Sequence, residues 1–280
     1  FDPAQHGATH LPVTRPHFYA IVSAHSLATT LARKASGRVD GFIVEDAVAG
    51  GHNAPPRGAL RLNERGEPIY GERDAADLSA MRALDVPFWL AGGTGSPSAL
   101  QDARAAGAAG IQVGTAFAYA EESGFSTKIK RRVLAQVATG TIDLFTDPRA
   151  SPTGFPFKIV QTPTLAQQDE TRVRRCDLGY LRTAARRADG KLTYRCAAAP
   201  VDEFVAAGGT KAETEGRKCL CNGLFAAVGL AQSLKDGTDE RPLVTSGESL
   251  RELAAVARGR LSYSASDVLA YLLGEVHATA

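Results

Sequence analysis

The sequence lacks several features that would assign it to a class at once. It contains no run of eighteen apolar residues, and its first thirty residues show no charged segment followed by an apolar one. We therefore expect neither a membrane span nor a signal peptide. The sequence also has no large excess of charge of one sign, since 32 Lys and Arg and 30 Asp and Glu give a net charge of +2. Nucleic acid is not an expected partner, and the predicted compartment is the cytoplasm.

Methionine is nearly absent as well. Met81 is the only one, and the chain begins Phe1-Asp2-Pro3 without an initiator, so we expect a fragment or a processed product of a longer protein. The rest of the composition is typical of a globular protein, with 44% hydrophobic and 22% charged residues. A length of 280 residues is sufficient for one large domain or two smaller ones.

CxxC pairs, the usual signature of a thiolate metal site, do not occur. Four cysteines fall within 46 residues, but their spacing is irregular and matches neither a zinc nor an iron–sulfur motif. Disulfides are disfavoured in the predicted compartment. We expect buried structural cysteines and no metal, with a metal site as the alternative, at Cys176, Cys196, Cys219 and Cys221.

Apolar runs and helical spacings alternate in the first half of the chain. Strands are predicted at 18–24, 39–44, 86–90 and 111–117. Between them lie helical patterns at 27–35, 74–84 and from about 96 to 106, with Ser26 or His25 capping the first and Ser96 or Ser98 the third. Strand and helix thus alternate four times in about 120 residues, which predicts an α/β fold of parallel βα units.

Residues 41–58, GFIVEDAVAGGHNAPPRG, are the stretch around which the rest is organised. A buried strand is followed at once by Gly50 and Gly51, which permit a sharp turn or close approach to a ligand, and then by His52. In parallel α/β folds ligands bind at the carboxyl ends of strands, which makes His52 a candidate for chemistry. The alternative is that His52 hydrogen-bonds only its own loop.

Two further strand ends carry glycine. Ala91-Gly92-Gly93-Thr94-Gly95 precedes a helix, and Gln112-Val113-Gly114-Thr115 follows one unit later. Both would present backbone N–H groups without side chains in the way, as an anion cradle requires. In (β/α)8 barrels a ligand phosphate commonly lies between the loops after strands seven and eight, which two consecutive glycine-bearing strand ends would match.

These segments resemble the nitronate monooxygenase and 2-nitropropane dioxygenase family, which are FMN-dependent (β/α)8 barrels. The resemblance is carried by VEDAVAGGH at 44–52, WLAGGTG at 89–95 and GAAGIQVGTAF at 107–117, and extends over residues 18 to about 125. It implies that the chain holds about strands five to eight of a TIM-type barrel. The implied organisation is a half-barrel at 1–125 and a mainly helical, cysteine-containing extension at 126–280.

The resemblance also implies roles for individual residues. His52 corresponds to the proposed catalytic base or substrate-side residue, and Gly93, Gly114 and Thr115 to phosphate contacts. Glu45 falls where many members carry Gln, so the residue that would contact the cofactor here departs from the family pattern. Arg57 is either a nitronate contact or a solvated loop residue. The implied cofactor-binding set is Glu45, Gly50, Gly51, Gly92, Gly93, Gln112, Gly114 and Thr115.

Residues 121–280 carry weaker patterns. A helix is predicted at 128–137, a proline-rich loop at 147–157, and a hairpin turn at Asp189-Gly190. Capped helices are predicted from Thr245 onward, with Ser246 and Glu248 in the first turn, and at 264–273. Such terminal helices often close a site or form an oligomer interface, so a homo-oligomer is an open expectation.

By this resemblance the protein oxidises an alkyl nitronate with O2 to a carbonyl compound and nitrite, using FMN. Three alternatives stay open, one of them being that the glycine pattern has converged and His52 is inert. A flavin-dependent enoyl-thioester reductase of the same fold resembles the AGGH and QVGT segments, and would consume NAD(P)H without oxygen. A non-catalytic component that binds a phosphorylated ligand or a partner, with a structural metal, belongs to a different class.

Overall fold

The computed structural model describes residues 3–7, 14–161, 173–234 and 237–275. Strands in these ranges are β1 Tyr19–Val22, β2 Gly41–Glu45, β3 Gly51–His52, β4 Phe88–Ala91, β5 Gly110–Gln112, β6 Asp143–Asp147, β7 Phe157–Gln161, β8 Thr183–Arg186 and β9 Leu192–Arg195. Helices are α1 His25–Lys34, α2 Leu78–Arg82, α3 Pro97–Ala105, α4 Thr115–Ala118, α5 Thr127–Ala138, α6 Val201–Ala206, α7 Leu220–Ala227, α8 Leu253–Ala257 and α9 Ala265–Leu272. Short 3-10 helices lie at Pro3–His6, Glu72–Asp74, Ala212–Thr214 and Glu248–Glu252.

The four strands predicted in the first half form one parallel sheet in the order β1-β2-β4-β5. Its register pairs Glu45 with Ala91 and Ala91 with Gln112, so three strand ends lie in one row. Helices α1, α2 and α3 connect the strands, as βα units require. The predicted α/β class, and the four parallel strands expected of a partial barrel, are confirmed.

Local differences from the prediction have simple backbone causes. The fourth strand ends at Gln112 rather than at 117, because Gly114 already has helical dihedrals and accepts a hydrogen bond from the Ala118 amide that closes the first turn of α4. The predicted cap at Ser26 or His25 is wrong: Ala24 occupies that position without a side-chain hydrogen bond. Ser96 does cap α3, accepting from the Ala99 amide.

Two antiparallel sheets complete the fold. Strands β3, β7 and β6 form one in the order β3-β7-β6, and β8 and β9 form a hairpin. The hairpin turn lies at the predicted Asp189-Gly190, where the Gly190 amide donates to the Arg187 carbonyl. The predicted proline-rich loop lies between β6 and β7, two strands that the sequence did not predict. Within the described ranges, the region after 126 therefore contains four strands beside its helices, and the domain boundary at 125 stays a prediction.

The predicted later helices are largely present. Helix α5 matches 128–137, and α9 begins after Ser264, which accepts from the Asp267 amide in a capping box. The segment from Thr245 differs, because it stays extended until a 3-10 helix starts at Glu248 and continues into α8. None of the helices in the described ranges is long and apolar enough to cross a membrane.

The two largest buried clusters of the described residues lie between these layers. The first lies between the parallel sheet and its connecting helices and includes Val22, Phe42, Met81, Phe88 and Ala103. The second packs α4, α5, α8 and α9 against β6 and β7, around side chains such as Tyr119, Leu134, Val160, Leu253 and Tyr263. Burial of this much apolar surface is the main term that favours folding.

Strand β1 is at the edge of the parallel sheet, and its outer side pairs with nothing in the described part of the chain. Phe18, Tyr19 and Ile21 are exposed there, with Ile21 58% accessible. An uncovered apolar edge of this kind is the place where a further strand would add to a partial barrel.

The first cluster makes Met81 a sensitive position, because its side chain is fully buried. Met81→Ala is expected to lower the free energy of unfolding by about 2–5 kcal/mol, as truncations that leave a cavity do. Urea denaturation would measure the loss. Leu27→Ala on α1, where the side chain is 45% exposed, is the matched control and should change stability by less than about 1 kcal/mol. Equal effects would contradict the assignment of Met81 to the core.

Candidate active site

The carboxyl ends of three parallel strands open into a cavity of about 310 Å³. Its walls come from the end of β2, the loop before β3, the glycine loop after β4 and the turn between β5 and α4. All eight residues of the expected cofactor-binding set line this one cavity: Glu45, Gly50, Gly51, Gly92, Gly93, Gln112, Gly114 and Thr115. The sequence motifs, separated by up to 70 residues, therefore meet in space.

Glycine is required at two of these positions for different reasons. Gly92 has φ +88°, and a Cβ there would lie 3.0 Å from the Ala49 amide nitrogen. Gly50 has an ordinary φ, but a Cβ would lie 2.7 Å from the Gly247 nitrogen and from the Ser246 carbonyl carbon. The first glycine permits a left-handed turn, and the second permits two backbones to touch.

The sequence did not predict the wall formed by residues 245–249. Thr245, Ser246, Gly247 and Ser249 line the cavity. Thr245 Oγ1 accepts from the Gly51 amide at 2.7 Å and donates to the Lys158 carbonyl at 2.6 Å, and the Gly247 amide donates to Thr115 Oγ1 at 2.9 Å. The sequence of this segment predicts only the start of a helix, and nothing in it indicates that the segment borders the cavity.

The loops of the cavity leave backbone donors open. The amide N–H groups of Gly93, Thr94, Gly95 and Gly114 donate to no acceptor within the described ranges, and all four residues line the cavity. At Gly114 there is also free space where a side chain would begin, since a Cβ would meet nothing within 4 Å. Free amide donors in adjacent glycine-rich loops are suited to binding a phosphate or another anion.

Glu45 is the acidic residue of this lining. Its side chain makes no hydrogen bond and no ion pair with the described residues. Burial raises the pKa of its carboxyl above the ordinary value of 4.5. A half-buried, unpaired carboxyl is unfavourable when ionised, so the cavity favours its neutral form more than water does.

His52 lies beside the cavity rather than on its lining. It follows Gly51 in β3 and pairs with Phe157 of β7. Its Nε2 is 2.7 Å from Ser151 Oγ, and its ring makes edge contacts with Phe155 and Phe157. Partial burial there lowers the pKa of the imidazole below 6.5, which favours the neutral ring.

Two other groups of residues named from the sequence lie elsewhere. Arg57 is exposed and does not line the cavity, and its backbone amide donates to Asp74. All four cysteines are reduced, but only Cys196 is buried, so the expectation of four buried cysteines is wrong for the other three. The described residues contain no group of three His, Cys, Asp or Glu arranged to hold a metal ion.

Comparison with known proteins adds the family. A probable nitronate monooxygenase of Staphylococcus haemolyticus (strain JCSC1435) is 31% identical over 133 residues, which are 46% of this chain and 36% of that protein. The chain thus matches about a third of the length of this relative.

Two solved structures are similar at a lower level. FabK from Thermotoga maritima has 19% identity and a TM-score of 0.49, over 92% of this chain and 60% of that one. Nitroalkane oxidase from Streptomyces ansochromogenes has 22% identity and a TM-score of 0.37, over 52% of this chain and 39% of that one. Likenesses of this size carry no argument about function.

The decisive match is to a family model described as nitronate monooxygenase, which covers residues 11–185 and so includes all the glycine-bearing strand ends. Because this match extends over more than half of the chain, the chain belongs to the nitronate monooxygenase family.

Proposed function

We propose that the chain binds FMN in the glycine-lined cavity and oxidises an alkyl nitronate with O2 to a carbonyl compound and nitrite. The observation that carries the proposal is that Gly93, Thr94, Gly95 and Gly114, whose amides donate to no acceptor within the described ranges, all line one cavity. These donors fit a phosphate monoester. Family membership supports an oxidoreductase, and the substrate and cofactor are the proposed part.

FMN, when bound, supplies the electron transfer between the substrate and oxygen. The protein holds its phosphate on the open amides and keeps Gly51 and Thr115 in place through Thr245 and Gly247. Without side chains at Gly51 and Gly114, the backbone can lie directly against the cofactor. Gln112, at the end of β5, offers an amide side chain at the same edge of the sheet.

His52 is proposed as the base toward the carbon next to the nitro group. Ser151 Oγ is placed to accept from Nε2–H and to donate to Thr153 Oγ1, which would leave the lone pair of Nδ1 to take the proton. The lowered pKa keeps the ring neutral near pH 7, as a base requires. Arg57, exposed and outside the lining, is proposed to be a solvated loop residue.

The first test is the visible absorption spectrum of the purified protein, followed by mass identification of the released cofactor. Flavin bands with FMN released are expected. Nitronate and O2 consumption should then exceed NAD(P)H consumption with an enoyl thioester. The reverse ratio would favour the reductase, and a protein that neither carries nor binds flavin would overturn the proposal.

Gly114→Ala should weaken FMN binding by about tenfold or more, a loss of roughly 1.4 kcal/mol. The protein itself tolerates the methyl group, because Gly114 has φ −106° and open space at the Cβ position, so only a bound phosphate would meet it. Flavin fluorescence titration would give the affinity. Gly37→Ala, also in open space but outside the cavity, is the control and should bind FMN normally. Equal affinities in both variants would remove the cradle from the site.

His52→Ala should retain FMN and lose turnover by about 10² or more, the usual contribution of a general base. The matched control is His17→Ala, since His17 is exposed and its ring contacts Tyr19 outside the cavity. Steady-state oxygen consumption would measure both variants. Unchanged turnover in His52→Ala would show that the histidine is a loop residue.

Glu45→Gln should raise the Tm of the cofactor-free protein at pH 7. A carboxyl whose pKa is raised in the folded state stabilises the fold only while protonated, so its contribution is lost as pH rises from the unfolded pKa through the folded one. The gain from Gln should therefore disappear below about pH 4. Thermal melts of the variant and the wild type at pH 7 and below about pH 4 test this. A variant less stable than the wild type at pH 7 would mean that the Glu45 carboxylate makes a stabilising interaction.

A further inference from the structure

We propose that Cys176 and Cys196 form a redox-active thiol pair, in which Cys176 is the nucleophile toward hydrogen peroxide and Cys196 the resolving thiol. The pair lies outside the glycine-lined cavity and is independent of the proposed flavin chemistry. Its basis is the fold itself, which brings two distant cysteines together beside one arginine.

The β8–β9 hairpin and the turn at Gly179 before it bring the two segments together. Cys176 lies in the segment that leads into β8, and Cys196 directly follows β9. The register pairs Thr183 with Arg195, so the chain entering the hairpin and the chain leaving it run side by side. The Cys176 side chain packs against the buried cluster that contains Cys196, although the two residues are 20 apart in sequence.

The guanidinium group of Arg182 contacts the sulfur of Cys176. Arg182 Nε donates to Cys176 Sγ at 3.3 Å, and Arg182 Nη2 donates to the Cys176 carbonyl at 2.5 Å. The turn at Gly179 makes this possible, because Gly179 has φ +70° and a Cβ there would lie 2.9 Å from Arg182 Nε. A charged donor that contacts the sulfur, and is held in place by a second bond to the carbonyl of the same residue, stabilises the thiolate rather than the thiol.

The remaining surroundings divide the two thiols by role. The neighbouring Cys196 thiol, and then the hydrogen bond from Arg182, lower the pKa of Cys176 to about 6, while burial and the Glu203 carboxylate act against this. The pKa of Cys196 is raised, first by the neighbouring Cys176 and then by burial, with Cys219 contributing a smaller effect in the same direction. These surroundings favour the thiolate at Cys176 and the thiol at Cys196.

Exposure agrees with this division. Cys176 is partly accessible, as a nucleophile must be, whereas Cys196 is only 7% exposed. The Cys176 thiolate attacks one oxygen of hydrogen peroxide, so that an S–O bond forms, the O–O bond breaks and hydroxide leaves to become water. The Cys196 sulfur, losing its proton, then attacks the sulfenic sulfur. An S–S bond forms, the S–O bond breaks and a second water leaves, so two thiols and one peroxide give one disulfide and two waters.

Disulfide mapping of the full chain tests the pair directly. The protein is treated with hydrogen peroxide at pH 7, blocked with an alkylating agent and digested, and the cross-linked peptides are identified by mass. A Cys176–Cys196 disulfide that dithiothreitol reverses is expected. Over-oxidised Cys176 with Cys196 still alkylated, or a disulfide involving Cys219 instead, would overturn the proposal.

Variants then separate the roles. Cys221→Ser, a change at a thiol outside the cluster, should form the disulfide as the wild type does. Cys196→Ala should stop at the sulfenic acid on Cys176, which a dimedone-type probe detects. Cys176→Ser should leave Cys196 unmodified at the same peroxide dose. Oxidation of Cys196 in the absence of Cys176 would contradict the assignment of the nucleophile.

The pH profile of Cys176 alkylation is a readout that a purely structural pair would not give. The midpoint should lie near 6 in the wild type and move toward the ordinary value of about 8.5 in an Arg182→Gln, Cys196→Ala double variant, in which both neighbouring groups are lost. A wild-type midpoint already near 8.5 would show that neither Arg182 nor Cys196 activates the sulfur.

Discussion

The parallel register that aligns Glu45, Ala91 and Gln112 is the constraint on which the candidate site depends. Each of these residues ends its strand, so the three following loops leave the sheet at the same edge and must share the same space. A shift of the strand register by one residue would turn each side chain to the other face of the sheet and move the following loop by one residue along the strand. The glycines in those loops would then no longer border one cavity.

A second constraint comes from far along the chain. Residues 245–247 press their backbone against Gly50, and Thr245 and Gly247 bond to Gly51 and Thr115. Lys158, buried in β7, extends this contact, since its carbonyl accepts from Thr245 and its ammonium pairs with Glu248 at 3.2 Å. The region after the parallel sheet is thus a wall of the cavity, and the close approach of that wall is the reason that two glycines meet at Gly50 and Gly247.

The same later region contains the thiol pair, and the two features are separate in space and in chemistry. The cavity offers neutral backbone donors for an anion, whereas the pair offers a sulfur activated by Arg182. Both depend on a glycine that lets another group approach closely: Gly50 admits the backbone of Gly247, and Gly179 admits the guanidinium of Arg182. The proposed cofactor site and the proposed thiol pair therefore share no residue.

The sequence by itself determined the parallel α/β half, because buried strands and amphipathic helices have distinct periods that are visible residue by residue. Its motifs, through their resemblance to the family, also implied eight of the residues that line the cavity; the glycines among them are explained by the sharp turn or close backbone approach that glycine permits after a buried strand. Only the tertiary structure decided what those residues meet. The wall at Thr245–Gly247, the position of His52 beside the cavity and the neighbouring sulfurs of Cys176 and Cys196 are contacts between distant segments. They could not be predicted because no local pattern encodes which loop packs on which.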